Sequence, residues 1–340
     1  MTRGITLGTG AGLLWGLAFV LPALAPGWSP VAITTGRYLA YGIVSVLVIA
    51  LIARRRPGTL HTARRHWRHA LLYAATGNVA YYLLLVVAIQ TAGAPITTVL
   101  IGSIPVVMAA VANLREHRYR WRHLAGPLVL VSAGLAVVSG PGILHPAGGS
   151  AAEMAVGLAA STGAIVLWTS YGIGNATFLR RHPDLGGSLW AAVIGVATGG
   201  LALLLVPVAL VTGPSTGAGG EVGDFLAASA ALGIAVSWGA TWLWNEASSR
   251  LSTTLAGLLI TTETVAGYAY SYMLEARWPA LLELLGFALV LVGVVAVTAL
   301  RDHPGNAPKL PLEGSTSTDR PGQYGSPVGT PGGRSPDAGG

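Results

Sequence analysis

Long apolar runs decide what this chain can fold into. Ten of them can be read, at roughly 5–25, 30–53, 70–91, 94–114, 122–140, 152–178, 187–211, 224–245, 251–273 and 279–300. Each is near the twenty or so residues that a helix needs to cross a bilayer. Several contain glycine or proline, which membrane helices tolerate better than soluble ones. Charged residues make up only 10% of the chain, against roughly a quarter in a soluble domain, so too few remain to cover a water-exposed surface. The expected fold is an all-α integral membrane protein of ten transmembrane helices. The first run mimics a signal peptide, with Arg3 ahead of it and Ala23-Leu24-Ala25 behind. Pro26 disfavours cleavage there, so the run reads as an uncleaved first helix.

The basic residues orient the helices. Arg54, Arg55, Arg56, Arg64, Arg65 and Arg68 follow the second run, and Arg115, Arg118, Arg120 and Arg122 follow the fourth. Arg180 and Arg181 follow the sixth, and Arg250 the eighth. The alternate connections hold a single arginine, Arg277, against Glu153, Glu221, Asp224 and Glu275. A positive bias that alternates with each crossing predicts a multi-pass plasma-membrane protein with both termini cytoplasmic. Trp28, Trp67, Trp121, Trp190 and Trp278 fall at span boundaries and read as an aromatic belt.

Other chemistries are disfavoured. Without cysteine the chain has no disulfide and no thiolate site. Its net charge of +7 sits between apolar runs, where topology accounts for it, and no nucleic-acid motif accompanies it. His61, His66, His69, His117, His123 and His182 lie in arginine-rich connections without metal spacing. GTGAGLLWG (8–16) lacks the preceding strand of a nucleotide fingerprint, and its glycines read as close helix packing. No cofactor is expected. Residues 303–340 are rich in Gly, Pro and Ser and predict a disordered cytoplasmic tail without a transport role.

The segment 103–138 resembles 262–297 without gaps. Val106 meets Val265, Glu116 meets Glu275, Arg118 meets Arg277 and Gly134 meets Gly293. Ala88 meets Ala247 in the same register, and Leu14-Trp15 has a partner in Leu167-Trp168 at another offset. Two five-helix halves follow, 1–146 and 147–302. Five is odd, so the second half enters from the opposite side, as an inverted repeat.

In GLLWGLAFV (12–20), GRYLAYGIV (36–44), AIQTAGAPITTVLIGSIPVVMAAV (88–111), LREHRYRWRHLAGPLVLVSAG (114–134) and the block 262–297 the chain resembles the EamA-type transporters of the drug/metabolite transporter superfamily. The likeness runs from about residue 8 to 300. Arg115-Glu116 and Leu274-Glu275 stand where that family usually has Gly-Glu. The resemblance implies secondary transport of small polar metabolites such as amino acids, often outward.

Two charged residues fall inside predicted spans. Glu263 lies about twelve residues into the ninth, or roughly 18 Å along its axis, where a carboxylate is costly and functional by default. Its bland alternative is a protonated or paired glutamate in a helix contact. Arg37 lies about seven residues into the second span, roughly 10 Å deep. It could clamp a substrate carboxylate or gate the path; alternatively it snorkels to headgroups or pairs with Glu263 to orient two helices. Asn78 and Tyr82 share a face of the third helix. Trp168, Tyr171 and Asn175 form a stripe on the sixth, and Trp238, Trp242 and Asn245 on the eighth. These, with Trp15, are candidates for a polar cavity lining, against helix packing as the alternative. Tyr268, Tyr270 and Tyr272 sit at mixed faces of the ninth. The expected function is a secondary transporter, an exporter working by alternating access, with a small-molecule substrate and a coupling proton as an open option. The competing readings are a membrane-embedded enzyme on lipid-like substrates and a non-transporting scaffold or sensor. Oligomeric state is not legible.

Overall fold

A computed structural model describes residues 1–143, 150–212, 221–274 and 276–300. Glu275 and the predicted tail lie outside the described residues. Among the described residues every regular element is helical. In chain order they are α1 (Thr2–Gly16), α2 (Pro30–Arg55), α3 (Trp67–Ala92), α4 (Ala94–Gly102 and Ile104–Glu116), α5 (Trp121–Ile143), α6 (Ala151–Arg181), α7 (Gly187–Val211), α8 (Val222–Ser248), α9 (Thr253–Leu259 and Thr261–Leu274) and α10 (Leu281–Thr298). A short helix, Thr59–Arg65, joins α2 to α3.

Six of these, α2, α3, α6, α7, α8 and α10, are long and apolar enough to cross a membrane. Of the rest, Trp121–Val137 of α5 is apolar as well, and α1, α4 and α9 are shorter or interrupted for local reasons. After α1 the chain tightens into 3₁₀ turns at Leu17–Phe19 and Leu21–Leu24. The α4 break at Ser103 precedes Pro105, which has no N–H to return to the Ile101 carbonyl; the Ser103 hydroxyl donates to the Leu100 carbonyl at 2.6 Å. The α9 break at Ile260 is closed by Thr261 and Thr262, whose hydroxyls donate to the Leu258 and Leu259 carbonyls at 2.6 and 2.7 Å.

The packing exchanges partners in a regular way. Contacts of α3 with α6 match those of α8 with α1, contacts of α2 with α8 match those of α7 with α3, and contacts of α1 with α9 match those of α6 with α4. Three further pairs face each other directly: α2 with α7, α4 with α9, and α5 with α10. Glycines make the reciprocity visible. A Cβ on Gly134 would lie 2.6 Å from the Gly286 carbonyl and 2.7 Å from Val290, while one on Gly293 would lie 2.9 Å from the Pro127 carbonyl and 2.7 Å from Val131. Gly42 and Gly199 meet backbone to backbone, each within 3 Å of the other's Cα once a Cβ is added. An interface in which i meets j and the counterpart of j meets that of i has two-fold character. Even the irregular turns recur: α3 carries a π-helical turn at Ala75–Val79 and α8 one at Leu232–Gly239.

The glycines of α1 do as the sequence suggests. Gly4, Gly8, Gly12 and Gly16 are buried on one face. They let α1 approach Leu251, Leu259, the Glu263 backbone N and the Gly267 backbone N in turn. At Gly12 any side chain would collide with the Thr262 hydroxyl. The residue after it in the sequence, Glu263, is held at this crossing.

Candidate functional site

Glu263 is the fourth residue after the α9 break begins, and its N–H donates to the Ile260 carbonyl at 2.9 Å. Its side chain is half-buried, deep in the helix bundle, and makes no direct ion pair or side-chain hydrogen bond among the described residues. Arg37 of α2 acts on it through space. Arg37 is also half-buried. Its Nε donates to the Ser237 hydroxyl at 2.8 Å, and its guanidinium lies 5.6 Å from the centre of the Tyr38 ring. Tyr81 of α3 lies within electrostatic reach of Glu263, Tyr38 and Arg37 together. Two opposite charges, one from each half of the chain, thus share one neighbourhood with tyrosines around them. A half-buried charge without a tight partner is costly in a helix bundle.

The π-helical turns supply the polar groups. In α3 the turn presents Asn78, whose Nδ2 donates to the Thr198 hydroxyl of α7 at 3.0 Å. In α8 the turn presents Ser237, which accepts from Arg37 of α2. Such turns are frequent at functional sites because the extra residue re-aims side chains. Tyr82 lies beside the charged group: its ring meets Tyr38 edge-on at 6.5 Å and its hydroxyl donates to the Pro30 carbonyl at 3.2 Å.

An aromatic layer adjoins this centre. Trp244, 1% exposed, is flanked by Trp15 at 6.2 Å, Trp168 at 6.3 Å and Tyr171 at 6.1 Å between ring centres. Tyr171 is buried against Tyr73 and under Gly77, where a Cβ would strike its ring. Trp15 and Trp168 remain half-buried.

Not every candidate arrives there. Asn175 is fully buried in an amide lock: its Nδ2 donates to Asn245 Oδ1 at 2.8 Å, and its Oδ1 accepts from Trp190 Nε1 at 2.7 Å. Both ends of its amide thus serve to join helices. Trp190, read from the sequence as a belt residue, is fully buried in this lock. Trp242, 37% exposed, stacks on Trp238 at 5.4 Å and turns away from the aromatic layer. Trp238 and Trp242 stack on one face while Asn245 is fully buried, so the three do not form one cavity face. Trp244 takes that place.

Tyr38, Tyr81, Ser237 and Trp244 were not singled out by the sequence reading. Tyr38 had a signal, since it sits beside Arg37, but one step along a helix usually points elsewhere. Ser237 had none, because it sits within the π-helical turn, and nothing marked Trp244 among the tryptophans of α8.

A polar network closes the arginine-rich end below this layer. Arg180 Nη2 donates to Glu116 at 3.1 Å and its Nη1 to the Thr253 hydroxyl at 3.0 Å, while the Thr253 hydroxyl also donates to Glu116. One arginine therefore ties the ends of α4 and α6 to the start of α9. Glu246 accepts from the Gly187 N–H at 2.9 Å, fixing the start of α7 to α8.

Known proteins resemble this chain over most of its length. The profile of the EamA-like transporter family matches residues 2–140. The inner membrane protein YtfF of Escherichia coli (strain K12) is 35% identical over 316 residues, covering 89% of this chain and 98% of that protein. A solved crystal structure superposes with a TM-score of 0.69 over 88% of this chain and 97% of its own length, at 19% identity; that match speaks to the fold alone. With its apolar helices and this identity across nearly the whole of a relative, the chain is a membrane protein that belongs to the EamA-like transporter family of the drug/metabolite transporter superfamily.

Proposed function

We propose that the chain is a secondary transporter that exports small zwitterionic metabolites such as amino acids across the plasma membrane by alternating access. The observation that carries this reading is the Arg37–Glu263 neighbourhood. Arg37 offers donors to a carboxylate, Glu263 offers an acceptor to an ammonium group, and Trp15 and Trp168 offer flat apolar surface to the rest of the substrate. Arg37 and Glu263 come from different halves, so relative movement of the halves would reshape the site. The site is 1–146 against 147–302, read as inverted five-helix repeats in ten crossings with both termini cytoplasmic. The reciprocal glycine contacts, and a family match covering α1 through most of α5, support that division. In this reading 303–340 is a cytoplasmic tail outside the transport unit.

Inverted halves make the two open states near in energy, because one half can adopt the conformation of the other. The Arg180–Glu116–Thr253 network would hold the cytoplasmic end shut in the state seen here. Opening requires its three hydrogen bonds to be exchanged for water.

Purified protein in liposomes, assayed for counterflow of labelled amino acids with and without a pH gradient, tests the function. Counterflow that Glu263→Gln and Arg37→Gln both abolish is expected if the two charges hold the substrate. Retained exchange with lost response to the pH gradient in Glu263→Gln would assign Glu263 to proton coupling instead. Wild-type counterflow with no amino acid above protein-free liposomes would defeat the substrate assignment. Single cysteines at Gly58 and Trp278 test the topology, with labelling from opposite faces of sealed cells expected.

A further inference from the structure

A second concavity lies at the arginine-rich end, apart from the Arg37–Glu263 neighbourhood. The α4–α5 turn, the α8–α9 turn and the end of α10 enclose a cavity of about 250 Å³, space for on the order of eight waters. Its rim carries Arg118 and Arg250, its wall the hydroxyls of Tyr119 and Ser252, and its floor the buried Leu255 and Val297. The residues lining it include two arginines and no acid.

The rim is built rather than loose. Asn113, fully buried, clasps the turn before α5: its Oδ1 accepts from the Tyr119 N–H at 2.9 Å and its Nδ2 donates to the Tyr119 carbonyl at 3.1 Å. The Tyr119 and Ser252 hydroxyls share a hydrogen bond of 3.1 Å, which ties that turn to the start of α9. His117 at φ 49° makes the reversal that precedes Arg118. Arg250 is anchored through Nη1, which donates to the Glu246 carboxylate and carbonyl. Its Nη2 and Nε have no protein partner among the described residues. A guanidinium held at one nitrogen with its other donors open suits a phosphoryl group, which accepts two parallel N–H bonds.

We propose that this cavity binds the phosphoryl headgroup of an anionic membrane lipid. The charge of the rim selects the anion. The apolar floor selects the lipid, since Leu255 and Val297 offer nothing to a free phosphate ion but match the glycerol backbone and the first acyl carbons. The exit is apolar as well: Val295, Val292 and Leu291 of α10 are 63%, 56% and 48% exposed, a path for the chains along the helix. Basic pockets between helices at the cytoplasmic end of membrane proteins hold acidic lipids by this combination. Such a lipid would join α4, α8 and α10 at the end that must open in transport.

The test is thermal unfolding of the full chain in detergent, with added phosphatidylglycerol, phosphatidylcholine or glycerol 3-phosphate. Phosphatidylglycerol is expected to raise Tm above the value in phosphatidylcholine, and glycerol 3-phosphate to leave it unchanged. Arg118→Gln should lose that shift. Thr298→Phe, which fills the cavity without touching its charge, should lose it too and decides the matter if Arg118→Gln does not fold. Arg64→Gln, an exposed arginine outside the cavity, should keep it. Equal Tm in the two lipids, an equal shift from glycerol 3-phosphate, or a full shift in Thr298→Phe would each overturn the proposal.

Discussion

Helices α2 and α7 pack through one shared glycine contact, yet only one of them carries a charge. Counting five residues back from Gly42 and from Gly199 gives Arg37 on α2 and Ile194 on α7, and Ile194 is fully buried. Helices α5 and α10 set the frame for a second comparison. Counting thirty back from Gly134 and from Gly293 gives Ile104 on α4 and Glu263 on α9. The positions where helices touch are alike in the two halves, and so are the charges at the ends of α4 and α9, whereas Arg37 and Glu263, within the helices, have uncharged counterparts. Trp15 and Trp168 fall between these cases, since the two flank Trp244 at nearly equal distance. On the alternating-access reading proposed above, packing must work in both arrangements of a moving pair, so its residues recur. A ligand is not symmetric, so the groups that hold it need occur only once.

The first way to break this comparison is at the shared contacts. Gly199→Leu would place a side chain where the Gly42 Cα stands 2.7 Å from an added Cβ, and backbone cannot give way as a flexible side chain can. Overpacking of this kind costs about 1–3 kcal/mol or more. Gly199→Leu and Gly42→Leu are expected to reduce folded, monodisperse protein by most of its yield, and to similar extents. A benign result for one and collapse for the other would show the contact to be less reciprocal than the geometry implies. The second way is at the unshared charges. Glu263→Gln and Arg37→Gln should fold normally and lower amino-acid transport at least tenfold, about 1.4 kcal/mol or more in transport free energy. Ile104→Val and Ile194→Val, at the counterpart positions, should alter transport by less than twofold. Comparable losses from all four would remove the distinction between frame and site.

Much of the frame was legible because hydropathy and glycine periodicity each report on it independently. What could not be read was facing. A π-helical turn such as the one that holds Ser237 has no sequence marker, and hydropathy does not say which of Trp242 and Trp244, two residues apart on one helix, faces inward. The partners of Asn175 were not legible for a different reason. A buried amide looks the same in sequence whether it faces a cavity or another amide, and its partners, Asn245 and Trp190, are 70 and 15 residues away.

The next effect in size concerns the closed end. Arg180→Gln removes the donor to Glu116 and Thr253 while Thr253 keeps its own bond to Glu116. The Arg180 and Glu116 side chains are 33% and 25% exposed, so losing their ion pair should cost little folding stability. It should shift the population toward the opened arrangement. A cysteine introduced at Ser161, which is fully buried, would report that shift as faster modification from the cytoplasmic side, by several-fold. An unchanged rate in Arg180→Gln would show that the network joins helices without restraining them.

The smallest effect belongs to a histidine group at the same end. His66 stacks edge-on against His182 at 4.8 Å and faces His69 at 6.4 Å. Its pKa is lowered from the usual histidine value, first by burial and then by His182, Arg65 and His69, with Asp184 opposing weakly. A histidine whose folded-state pKa is lowered favours the neutral ring, so the unfolded chain takes up the proton first. The stability it contributes is therefore full above the ordinary histidine pKa of about 6.5 and declines as pH falls below it. The contact joins the start of α3 to the end of α6, one element from each half, without any matching histidine pair in the described residues at the other end. Tm of the wild type should fall more between pH 7.5 and 5.5 than Tm of His66→Gln. Equal slopes would mean that the ring is neutral or charged in both states alike, and that the His66–His182 stacking is packing without a pH response.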